Sequence, residues 1–209
     1  MKSKVAADWF DRPIIHSRKS GVLYRQLLIG WIKAQRRYAK QCGYDDFAHY
    51  YSERPHVGFL AAGVWLSGGI ALEEWKTEKS KKREKGYGRC DLWFSLGSRS
   101  PHHLEAKHRW LTLKGDEEQI ANRLSEMMEG SLESARKLRT GSEPRLAMLS
   151  VGLISHKKNC PNEPAVLLKK ALRLVEHKYC DAAAALLWKP QKIEKGKAFG
   201  TALLLRRLP

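Results

Sequence analysis

Residues 22–41 repeat apolar positions at helical spacing, with Leu23, Leu27, Trp31, Ala34 and Tyr38 on one side and Arg25, Lys33, Arg36, Arg37 and Lys40 elsewhere. That spacing predicts an amphipathic helix with a basic outer face, either a solvated surface or a contact for a nucleic-acid backbone. Residues 45–52 read as a short helix, and Pro55 as punctuation before the uncharged run Val57–Leu72, "VGFLAAGVWLSGGIAL". A bilayer span needs roughly 20 such residues. This run has sixteen, four of them glycine, so a buried core helix or helix pair is expected.

Between Lys76 and Arg89 seven residues are Lys or Arg, a density that disfavours burial and predicts an exposed basic loop. Then the period changes to two. In "GRCDLWFSL" Asp91, Trp93 and Ser95 share one face and Cys90, Leu92, Phe94 and Leu96 the other; in "HHLEAKHRW" His103, Glu105, Lys107 and Arg109 oppose Leu104, Ala106, His108 and Trp110. The segment "GSRSP" between them carries turn chemistry, so the two runs predict a hairpin. Residues 116–140 predict a long helix with Asp116 as N-cap, an apolar stripe through Ile120, Leu124, Met128 and Leu132, and basic residues at its end. "RLAMLSVGLI" predicts a buried strand, "EPAVLLKKALRLVEHKYC" an amphipathic helix, and "AAAALLW" and "AFGTALLLRRL" late strands. This mixing predicts a three-layer α/β domain around a mixed sheet.

At 209 residues the chain suits one globular unit, with residues 1–55 as a helical segment packed on a domain spanning 56–209. Composition adds the partner class. The 39 Lys and Arg against 22 Asp and Glu leave a net charge of +17, a field that attracts polyanions, with nucleic acid as the default partner. The four cysteines show no paired zinc-site spacing and no disulfide framework. With no signal-peptide core in "MKSKVAADWFDRP", a cytoplasmic protein with reduced thiols is expected, and no membrane partner.

The hairpin carries the chemistry. A loop centred near Arg99 sets Asp91 opposite Lys107 and Trp93 opposite Glu105, making Asp91 and Glu105 diagonal neighbours at roughly 7–8 Å. Carboxylates at that spacing can share a divalent cation with Lys107 beside it; the plainer reading is a cross-strand Asp91–Lys107 ion pair. The arrangement resembles the active site of the PD-(D/E)XK nuclease superfamily, the restriction-endonuclease-like fold. The resemblance covers about residues 57–154, and Cys90 stands where the family's nominal proline would be. It implies a three-layer restriction-endonuclease-like core and a Mg2+- or Mn2+-dependent nuclease, an endonuclease, acting on DNA. By that resemblance Asp91 and the pair Glu105 and Lys107 bind metal and orient water. A carboxylate from the preceding core helix would complete the set, Glu74 or else Glu73.

The basic run Lys79, Lys81, Lys82, Arg83, Lys85 and Arg89 would bind backbone phosphates, with affinity falling steeply in salt. A single-site domain that cuts both strands also suggests a homodimer. Two rivals use the charge without the carboxylates: a weakly catalytic or inactive nucleic-acid-binding protein of the same fold, and an RNA-directed basic protein. Gln119 reads equally as a helix-cap residue or a site residue, and His102, His103 and His108 as rim histidines rather than a zinc set. Trp93 and Trp110 read as core rather than base-stacking residues.

Overall fold

The helical spacing of residues 22–41 becomes helix α1 (Val22–Gln41), which buries Leu23, Leu27, Leu28 and Trp31 and leaves its basic side outward. A computed structural model describes residues 13–18, 22–80, 85–97, 101–155, 164–193 and 196–208. In place of the helix expected at 45–52 there is a single 3-10 turn, Ala48–Tyr50. Helix α2 (Glu53–Leu66) then starts before Pro55, not after it. Proline fits the first turn of a helix, where its missing N–H has no acceptor to satisfy.

The uncharged run holds the expected core helix as far as Leu66, not a helix pair, and then the start of a strand. Gly68 adopts φ 79°, a left-handed conformation that ends α2. The Gly69 N–H donates to the Val64 carbonyl at 3.0 Å, and the Ser67 hydroxyl to the Gly63 carbonyl at 2.8 Å. Strand β2 (Ile70–Ser80) follows, pairs antiparallel with β3 (Lys85–Ser95), and runs through Ser80↔Lys85. The expected basic loop at 76–89 is therefore mostly hairpin: a ladder satisfies the backbone whatever charge the outward side chains carry.

Strand β4 (His102–Thr112), helix α3 (Glu117–Arg136), the two-residue β5 (Leu138–Arg139), β6 (Arg145–Ser155), α4 (Pro164–Lys178), β7 (Ala182–Ile193) and β8 (Gly196–Arg207) complete the chain with the elements expected from their periodicity, apart from β5. Asp116 caps α3 through its carboxylate, which accepts the Gln119 N–H at 2.8 Å. That contact supports the capping reading of this segment. The N-terminal segment also contributes a strand, β1 (Ile14–Ser17), which pairs with β7 from Ile14↔Ala185 to Ser17↔Ala182.

Among the described residues the eight strands form one mixed sheet in the order β1-β7-β8-β6-β4-β3-β2-β5, in which β4 and β6 are parallel and joined through α3. One apolar cluster joins α1 and α2 to the sheet through Leu27, Trp31, Leu60, Leu92, Phe94 and Leu104. Another joins α3 and α4 to it through Ile120, Leu124, Leu149, Val151, Leu172 and Leu204. Helices thus cover both faces of an α/β sheet, as the mixed pattern predicts. Among the described residues no helix is long and apolar enough to cross a membrane. Among the described residues Cys42, Cys90 and Cys180 are in no disulfide, and burial pushes the Cys180 thiol up to about 12.

Candidate functional site

Among the described residues strands β3 and β4 share three rungs, Phe94↔His102, Trp93↔His103 and Leu92↔Leu104. Past these rungs β3 continues along β2 and β4 along β6, so the strands part at Asp91 and Glu105. The register is two residues from the expected one: Trp93 faces His103 rather than Glu105, and Asp91 is not opposite Lys107. The pairs are those of a connection centred one residue earlier than expected.

At the parting, Asp91 takes over a rung: its Oδ2 accepts the Ala106 N–H at 2.7 Å, which fixes the carboxylate against the Glu105–Ala106 peptide. Leu92, Phe94, Leu104 and Ala106 point into the cluster beneath α1 and α2. Alternation therefore sends Asp91, Glu105 and Lys107 off the other side of their strands. Glu105 is 5% exposed.

The carboxylate beside Lys107 is Glu53, the first residue of α2, with Nζ to Oε2 at 3.5 Å. Glu53 was missed in the sequence because Pro55 reads as a break; Ser52 before an acidic residue and a first-turn proline is a helix-start signature. The anticipated helical carboxylates lie instead on β2. Glu73 pairs across to Leu92, and burial raises its carboxyl, with Glu74 pushing the same way and Arg54 opposing. Glu74 holds φ 54° and is absent from the β2–β3 register, which resumes at Trp75↔Cys90. A left-handed glutamate carries strain on the order of 1–2 kcal/mol. Its carboxylate meets Arg54 at 2.7 Å and Arg89 at 3.9 Å.

Of the basic run, Arg89 is described and exposed, on β3. Lys81, Lys82 and Arg83 lie outside the described residues, as do the side chains of Lys79 and Lys85. His102 stacks on Phe94 at 5.1 Å and His103 meets the Glu143 carboxylate; both are buried, not rim residues. Trp93 lies against Trp75 with ring centres 5.7 Å apart, and Trp110 meets His108 edge-on. Among the described residues no three His, Cys, Asp or Glu side chains gather closely enough to hold a metal ion.

His108 stacks on His56 of α2 at 5.0 Å and shares a 3.0 Å hydrogen bond with Ser150. Ser150 also reaches the Lys107 carbonyl, at 3.4 Å. Burial, aided by Arg109, lowers the His108 imidazole from 6.5 to about 4. The unfolded chain therefore takes up this proton first as pH falls, so stability is full above 6.5 and declines as pH drops toward 4. Thermal unfolding followed by circular dichroism will show a smaller loss of Tm across that window in His108→Gln than in the wild type. An equal loss in both would remove His108 from the acid response.

Searches against protein-family models, curated proteins and solved structures found no match to the chain.

Proposed function

We propose that the protein is a metal-dependent nuclease that hydrolyses phosphodiester bonds, DNA in the first place, on a restriction-endonuclease-like core. The observation that carries this reading is the parting of β3 and β4 at Asp91 and Glu105, with Lys107 two residues on and Glu53 of the preceding helix beside it at 3.5 Å. The order α2, β2, β3, β4, α3 and parallel β6 supports the core assignment, and the charge of +17 supports a polyanionic substrate.

The donors suit a hard divalent cation. Asp91 and Glu105 offer carboxylate oxygens, Asp91 is already oriented by the Ala106 N–H, and Glu105 is a buried acid whose charge a cation offsets. Mg2+ or Mn2+ held by these two would supply charge neutralisation and acidify a bound water. Lys107 then orients the attacking water and offsets the charge that builds on the phosphate, while Glu53 holds the ammonium in place. In this reading Glu53, not Glu74, is the carboxylate of the core helix.

A second reading, a nucleic-acid-binding protein of the same fold without catalysis, rests on the charge of +17 and makes no use of the carboxylates. A supercoiled-plasmid nicking assay in Mg2+, Mn2+ or EDTA, run beside a labelled RNA, separates the two. Nicking in Mg2+ that vanishes in EDTA and falls about 10³-fold in Asp91→Ala is the expected result. Salt-dependent DNA binding with no nicking by the wild type in either metal would establish the second reading.

A further inference from the structure

We propose that Arg54 and Arg89 form a clamp for one phosphate of a nucleic-acid backbone, and that the Glu74 carboxylate is the internal occupant which that phosphate displaces. The identity of the polyanion rests on the nuclease reading; the clamp itself rests on geometry. Arg54 comes from the first turn of α2 and Arg89 from β3, and their guanidinium groups meet the two oxygens of one carboxylate, at 2.7 and 3.9 Å.

Stability does not account for this trio. The two arginine side chains are 78% and 67% exposed, and ion pairs that open to water add little to folding. Glu74 is nevertheless held at φ 54°, a conformation that glutamate disfavours, at the β2 position that falls opposite Asp91 and is missing from the ladder. Strain of this kind persists where the surroundings impose it, and it concentrates at sites that bind or switch. The carboxylate sits in a cleft lined by Glu73, Glu74, Lys76, Gly88 and Arg89, beside the place where β3 leaves β4.

A phosphodiester matches the occupant. It carries one negative charge and two terminal oxygens, the pattern that a pair of guanidinium groups accepts from a carboxylate. While Glu74 is seated, an incoming phosphate meets a negative charge and must displace it; once displaced, both arginines turn to the backbone. Glu74 thus lowers affinity for polyanions and keeps the clamp closed to weak ones. It also changes the salt response. With Glu74 between them the two arginines present one net positive charge instead of two, so they neutralise less phosphate charge and release fewer of the cations condensed on the DNA than arginines left open.

The test is fluorescence anisotropy of a short fluorescein-labelled DNA duplex in EDTA across a range of KCl, so that cleavage plays no part. Glu74→Gln is expected to bind about 3–10-fold tighter at low salt, with a log–log salt slope steeper by about one. Glu74→Gly, which also relieves the left-handed backbone, should tighten binding in the same way. In an Arg54→Ala/Arg89→Ala background, the Glu74 substitutions should lose their effect. Wild-type binding with an unchanged or weaker Glu74→Gln, folded by circular dichroism, overturns the clamp and leaves the nuclease reading standing. No salt-dependent binding by the wild type overturns both.

Discussion

Lys107→Met will lower Mg2+-dependent DNA cleavage by about 10²–10⁴-fold, the range that a positioned proton-transfer or charge-stabilising group supplies. Binding of the same duplex in EDTA will change far less, because one cation among a net +17 adds little to the field that draws DNA in. The split between cleavage and binding distinguishes this residue from a general phosphate contact. Its side chain is 29% exposed, its ammonium is pointed by Glu53, and its strand is also held through the backbone by Ser150. Lys107→Arg should not restore the rate: guanidinium keeps the charge but is planar and longer, and it would not place a donor where the compact ammonium sits. Glu53→Gln keeps the size of the partner and removes its charge, so a smaller loss is expected there. If Lys107→Met cuts as fast as the wild type, the role given to this side chain is wrong.

The sites where reading the sequence worked and where it failed follow from the range of the forces involved. Periodicity reports burial, so α1, α3, β6, α4, β7 and β8 were legible from their apolar positions, and alternation alone put Asp91, Glu105 and Lys107 on one side of their strands. Register was not legible. It depends on where a loop closes, and a centre one residue earlier than expected moves every facing pair by two. Glu53 was hidden by a local ambiguity, since proline both ends helices and sits in their first turns; the choice is settled by the packing of α2 on α1 and the sheet. Glu73 and Glu74 were placed on a helix because the uncharged run continued past Leu66, and the left-handed Gly68 that ends the helix has no periodic signal. The clamp around Glu74 joins residues from three elements, and no spacing along the chain announces it.

Packing between α1 and α2 sets up the largest expected effect on folding. At their crossing the backbones touch: a Cβ on Gly63 would lie 2.5 Å from the Gly30 carbonyl carbon and 2.6 Å from the Trp31 nitrogen, and one on Gly30 would lie 2.5 Å from the Gly63 oxygen. Those neighbours are main chain, so no rotamer can relieve the overlap and the helices must separate. Separation loosens Leu27, Leu28, Trp31, Leu60 and Val64, all fully buried. Overpacking of this kind costs typically about 1–3 kcal/mol, occasionally more, against a gain of about 1 kcal/mol from replacing a helical glycine with alanine. Gly63→Ala should therefore lower Tm by several degrees, and Gly63→Leu should leave little folded protein. The control is the same change on α3: a Cβ on Gly130 meets nothing within 4 Å, so Gly130→Ala should raise Tm. The consequence extends to the site, because α2 carries Glu53 at its start and a displaced helix moves that carboxylate from Lys107. In the surviving folded fraction of Gly63→Ala, cleavage per molecule should fall as well. A Gly63→Ala protein as stable as the wild type would mean that the two helices do not meet backbone to backbone.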